Sequence, residues 1–142
     1  MVAHRAGGNR RVLDFTLVFE AVGEPVSLTG ESTSKKGYGG FNVRFASRER
    51  TALTTDRGKE TGDTNLVPHP WAELAADYAA RHATVRVEIA PGNPASPNGW
   101  CLRHYGFLGV NFPGLVTYTL ERGKPLRLSY RVIVSGAGAS GY

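Results

Sequence analysis

Cysteine is nearly absent from this sequence. Cys101 stands alone among 142 residues, which excludes an internal disulfide and any metal site built on several thiolates. Long hydrophobic runs are missing as well. The longest apolar stretches, such as Val132-Ile133-Val134, are strand-sized and fall far short of the roughly 18 consecutive apolar residues that a spanning helix needs. No membrane partner is therefore expected. The opening MVAHRAGGNRR has basic residues but no apolar core, so it does not read as a secretory leader, and a cytoplasmic location is the expectation. His4, His69 and His82 show no ligand spacing with one another or with acidic residues, so neither a metal nor another cofactor is expected. A dense basic stripe is lacking too. The net charge of +5 favours anionic partners at long range, yet the basic residues are scattered, with only the short pairs Arg10-Arg11 and Lys35-Lys36. Without a stripe or a recognition motif, nucleic acid is not an expected partner.

Turn formers, by contrast, are plentiful. The 18 glycines and 8 prolines point to many turns between short elements. Residues 1–9 read as a flexible lead-in, 10–136 as one β domain and 137–142 as a tail. Leu13, Phe15, Leu17 and Phe19 alternate with Asp14 and Thr16, the period of a half-buried strand. Phe41, Val43 and Phe45 alternate with Asn42 and Arg44 in the same way, and Val85, Val87 and Ile89 face inward in TVRVEIA. Residues 100–110 read as a strand interrupted by Gly106 and Gly109. VTYTLE (116–121) and PLRLSYRVIV (125–134) read as an antiparallel hairpin across a turn at 122–124. Residues 54–69 read as a long polar loop. PWAELAADYAARH (70–82) has Pro at a first helical position, abundant Ala, and Trp71, Leu74, Ala75 and Tyr78 at helical spacing, which predicts one short helix. The fold class is all-β, an antiparallel sandwich with at most that one helix.

Three stretches occur in a telling order: GYGGFNVR (37–44), TDRGKETGD (55–63) and NPASPNGWCLRHYG (93–106), followed by LERGKPLRLSYRVIVSG (120–136). Together they resemble the bacterial PmoA-like domain of unknown function, over roughly residues 11–136. The resemblance implies a fold similar to the galactose-mutarotase β-supersandwich, used largely by carbohydrate-active proteins. A sugar or uronic acid ligand, bound or isomerised, is its functional expectation; a non-catalytic binding or structural module is the alternative. Members of that family are usually longer, so the chain corresponds to a C-terminal half, and its open sheet edges make a homo-oligomer the expected state. Two departures stand out. Where the resemblance implies an Asp-His pair this sequence has Ile89-Ala90, and where it implies a His it has Cys101, so the residues best suited to proton transfer are missing there.

The expected ligand contacts are Arg44, Asn93, Trp100, Arg103 and Tyr105. Each arginine offers a planar fork suited to carboxylates or paired hydroxyls, or serves a structural ion pair. Trp100 offers a stacking platform for a sugar ring, or packs as a core aromatic. Strand alternation sets Trp100 and Leu102 on one face and Arg103 and Tyr105 on the other. His104 is the one nominated acid–base residue, with Glu88 or Asp56 as its partner. Gly37, Gly39 and Gly40 with Lys35 and Lys36 form either an anion cradle or a tight turn, and the missing helix favours the turn.

Overall fold

The computed structural model describes residues 1–136 other than Ala6, Ser32, Lys36, Tyr38 and Ala80. The tail 137–142, and Lys36 of the possible glycine-rich cradle, lie outside the described residues. In chain order the strands are β1 (Val2–Arg5), β2 (Arg10–Phe19), β3 (Val26–Leu28), β4 (Phe41–Arg44), β5 (Glu49–Thr55), β6 (Gly58–Glu60) and β7 (Thr64–Pro68). They continue as β8 (Trp71–Tyr78), β9 (Arg81–Ile89), β10 (Gly99–Arg103), β11 (Phe107–Val110), β12 (Tyr118–Leu120) and β13 (Leu126–Gly136). A seven-stranded sheet runs β1-β2-β13-β9-β8-β5-β6, a four-stranded sheet β4-β11-β10-β7, and β12 pairs with β3 alone. Every pairing between these strands is antiparallel. The fold is all-β and sandwich-like, as the sequence pattern requires.

One apolar core lies between the two larger sheets. Leu74, Val87, Leu128, Tyr130 and Val132 come from the seven-stranded sheet; Trp100, Leu102, Leu108 and Val110 come from the four-stranded one. The Phe41 ring of β4 stacks on Tyr130 of β13 at 4.8 Å between centroids and meets Phe15 of β2 at 5.1 Å. Of the expected inward residues, Leu13, Phe15 and Leu17 of β2, Phe41 and Val43 of β4 with Phe45 just beyond it, and Val85, Val87 and Ile89 of β9 pack against or within this cluster, whereas Phe19 at the end of β2 is 39 % exposed. Burial pushes the Tyr130 hydroxyl up to about 12, because the phenolate would be stranded in apolar surroundings.

Several local expectations are corrected. Residues 71–78 form β8, not a helix, and the chain turns back directly into β9. Ala72, Leu74 and Ala76 are wholly buried, so the segment satisfies a period of two as well as one of 3.6. The helical preference of alanine is under about 1 kcal/mol per residue, and pairing with β5 on one side and β9 on the other outweighs it. Residues 54–69 are not a loop either. Asp56-Arg57 turns β5 into β6 with Thr55 opposite Gly58, and β7 follows to pair with β10. The expected hairpin of 116–121 with 125–134 does not form. The turn closes through Lys124 N–H to the Glu121 carbonyl at 3.2 Å, but β12 leaves to pair with β3 while β13 inserts between β2 and β9. Part of the lead-in is paired: β1 lies along β2, with Val2 opposite Asp14.

Trp100 is fully buried and donates its indole N–H to the His69 backbone carbonyl at 2.7 Å. Replacing it with phenylalanine keeps a ring but strands that carbonyl. Trp100→Phe is expected to cost about 1–3 kcal/mol from the unpaired group alone, read as a lowered urea midpoint with unchanged slope. A loss below about 0.5 kcal/mol would contradict this role.

Candidate functional site

The sequence-expected contacts are mostly structural. Trp100 cannot be a stacking platform, because it has no exposed surface. Asn93 is also buried and pairs with β13 like a short strand. Its Nδ2 donates to the Ser129 carbonyl at 3.0 Å, and its Oδ1 accepts the Ser129 N–H at 2.8 Å. It therefore clamps the 91–98 loop to the sheet rather than meeting a ligand. Arg103 points outward, as alternation requires, but its guanidinium donates to the Thr64 and Leu102 carbonyls at 2.6 and 3.0 Å and to Asn65 Oδ1. These bonds use up most of the fork. Arg44 is exposed on the same outer row, since Arg44, Phe107 and Arg103 are successive partners across β4, β11 and β10, and its guanidinium lies 5.2 Å from the Phe107 ring centroid. Tyr105, 61 % exposed, caps the β10–β11 turn.

His104 gains a carboxylate that the sequence did not suggest. Its backbone N–H and its Nδ1 both reach Asp63 Oδ1, at 2.8 and 3.0 Å. The two partners nominated for it are elsewhere. Glu88 lies in the other sheet, and Asp56 accepts from His69 Nδ1 at 2.6 Å. The His69 side chain is 1 % exposed, and Glu60 Oε1 stands 4.0 Å from its Nε2 while accepting the Thr55 hydroxyl at 2.8 Å. This cluster ties the β5–β6 hairpin to the β7–β8 corner through the buried His69 ring. Cys101 is buried, with its thiol 3.7 Å from Asn65 Oδ1. Among the described residues no group of three His, Cys, Asp or Glu could hold a metal ion.

The outer face of the seven-stranded sheet offers more. Register sets Trp71 opposite Glu88, Glu88 opposite Arg131, and Arg131 opposite Asp14, so four strands contribute one row of side chains. A second row runs Glu73, Arg86, Ile133 and Val12. Arg131 gives a bidentate pair to Asp14 at 2.7 and 2.9 Å, and His4 adds a contact to the same carboxylate at 3.1 Å. The hydrogen bond from Arg131 outweighs burial and holds the Asp14 carboxyl below its usual range. Arg86 lies 3.9 Å from the Trp71 ring centroid and donates to Glu73 at 3.2 Å. Two hollows open on this face. One, of about 410 Å³, is lined by Asp14, Thr16, Glu88, Ser129 and Arg131 among others. The other, of about 300 Å³, is lined by Arg10, Glu73, Thr84, Arg86, Glu88, Ile133 and Ser135. Glu88 is common to both.

The sequence profile of a family of unknown function, DUF6807, matches residues 1–140. The chain belongs to that family. No curated protein and no solved structure matches it. Membership assigns no activity, so the site rests on geometry. Among the described residues no helix is long and apolar enough to cross a membrane.

The signal for this face was present but incomplete. The alternation that points Val85, Val87 and Ile89 inward necessarily points Arg86 and Glu88 outward. Which strands stand beside them depends on pairings between distant segments. The β10–β11 corner has its own pH signature. Burial raises the Asp63 carboxyl, but the His104 backbone and ring hydrogen bonds and the Arg103 charge outweigh it, leaving it below the usual carboxylate range. A carboxyl lowered in the folded state contributes stability in full above its unfolded value near 4, and that contribution is lost as pH falls through the folded value. Asp63→Asn is therefore expected to flatten the acid limb of stability below about pH 4, measured as urea midpoints from neutral to acid pH. An acid limb identical to wild type would refute the assignment.

Proposed function

We propose that this chain binds a carbohydrate on the outer face of the seven-stranded sheet. The row Trp71–Glu88–Arg131–Asp14 carries the reading. Sugars present hydroxyls in a plane, with apolar C–H faces above and below. They are held by planar polar groups of both donor and acceptor type beside an aromatic ring. Here the Glu88 carboxylate, which makes no hydrogen bond or ion pair among the described residues, a guanidinium braced by a second carboxylate, and the Ser129 and Thr16 hydroxyls line one hollow. Trp71 adjoins it in register, at the side of Glu88. Bracing matters because a fork held by Asp14 loses little freedom when a ligand arrives. The resemblance to PmoA-like domains, with their mutarotase-like fold, raises the prior for a sugar ligand by analogy alone. The expectation that Trp100 and Arg103 supply the contacts gives way to Trp71, Glu88 and Arg131.

The test is calorimetric titration with neutral, amino and uronic monosaccharides. Saturable binding by the wild-type chain is expected, with Trp71→Ala and Arg131→Ala each weakening it about tenfold or more. Tyr105→Ala, on the far side of the sandwich, should leave it unchanged. Absence of saturable binding to every sugar, or an equal loss in Tyr105→Ala, would overturn the reading.

A further inference from the structure

Resting on the carbohydrate reading above, we infer that the favoured ligand is cationic: an amino sugar whose ammonium group seats on Glu88. The charge arrangement of the face leads there. Arg131 already gives two hydrogen bonds to Asp14, and Arg86 is held between Glu73 and the Trp71 ring. Both guanidinium groups that border the junction of the two hollows are therefore matched by a carboxylate of their own. Glu88 is not. Among the described residues it makes no hydrogen bond or ion pair; it only lies within the electrostatic reach of Arg131. The remaining cation of the second hollow, Arg10, is exposed and stands at the far end of β2. It is four residues from Asp14, hence about 13 Å along the strand from the Glu88 row.

A half-buried carboxylate is an acceptor and nothing else, so it is completed only by donors, and best by a charged one. With His4 counted as neutral, the first hollow holds one guanidinium, Arg131, against two carboxylates, Asp14 and Glu88. A uronate placed there would add a third negative charge beside an arginine that is already paired. A neutral hexose would satisfy Glu88 with hydroxyls. An ammonium does so with charge as well, and its ring can rest against Trp71, the next residue in the row. The local balance thus opposes the overall +5, which by itself points to anionic ligands.

The experiment compares D-glucosamine, D-glucose and D-glucuronate by calorimetry at about pH 7, below the ordinary range of an amino group and above that of an imidazole. Glucosamine is expected to bind about tenfold or more tightly than glucose, and glucuronate most weakly. Glu88→Gln keeps the shape and removes the charge. It should abolish the glucosamine preference, so that glucosamine and glucose then bind within about twofold of each other. Added salt should weaken glucosamine selectively. Glucuronate binding most tightly, or glucosamine affinity unchanged in Glu88→Gln, overturns this inference while leaving sugar binding intact. Failure of all three sugars to bind removes the carbohydrate reading itself. In that case choline replaces them as a plain ammonium probe, and its failure to bind would overturn the cation site as well.

Discussion

Trp100 sits between the two large sheets with no exposed surface and gives its indole N–H to the carbonyl of His69. Two strands take their phase from that contact. On β10 it turns Trp100 and Leu102 inward and Arg103 outward. At the other end it fixes the corner at 69–70, immediately before β8 begins at Trp71. With His69 held, Ala72, Leu74 and Ala76 fall on the core side, and Trp71 and Glu73 on the outside. A slip of one residue would exchange the two sets and bury a carboxylate. The Asp56–His69–Glu60 cluster, built on the buried His69 ring, reinforces the same corner from its other side.

The sandwich is unequal, seven strands against four. The core covers one face of the wide sheet, and the side chains of the opposite face must find their partners among themselves. Four of them do so through the Arg131–Asp14 and Arg86–Glu73 pairs, which are exposed enough to be worth little for stability. Their value is positional. They hold guanidinium groups in fixed poses beside Glu88, which makes no such pair among the described residues. The narrow sheet behaves differently: its outward groups, Arg103 above all, are tied back to the backbone, and Gly109 lets the Phe107 ring lie flat against it, since a Cβ there would come within 2.5 Å of that ring.

Much of the fold was legible in the chain. Alternation identified the inward residues of β4 and β9 and, apart from the exposed Phe19, of β2, because one face of each strand packs on the core. The 70–82 segment misled because alanine fits the small spaces of a sheet interior as readily as a helix, and Leu74 satisfies either period. The 116–134 segments misled because a good turn says nothing of which sheet each arm joins. The site was legible only by halves. Arg86 and Glu88 are outward by alternation, but Trp71, Glu88, Arg131 and Asp14 become neighbours only through the order β2-β13-β9-β8, which no local pattern specifies. Trp100 and Asn93 drew attention for the opposite reason: a Trp and an Asn in a turn-rich motif have the chemistry of a site, and here that chemistry is spent on holding the backbone.

The most direct measurement of the central claim is amide and indole shift mapping by NMR during a titration with D-glucosamine. If the wide sheet's outer face is the site, the largest changes fall on the Trp71 indole and on the amides of Glu88 and Arg131, and Arg44 and residues 103–105 stay silent. Largest changes at Arg44 and residues 103–105, with Trp71 and Glu88 unmoved, would contradict the account.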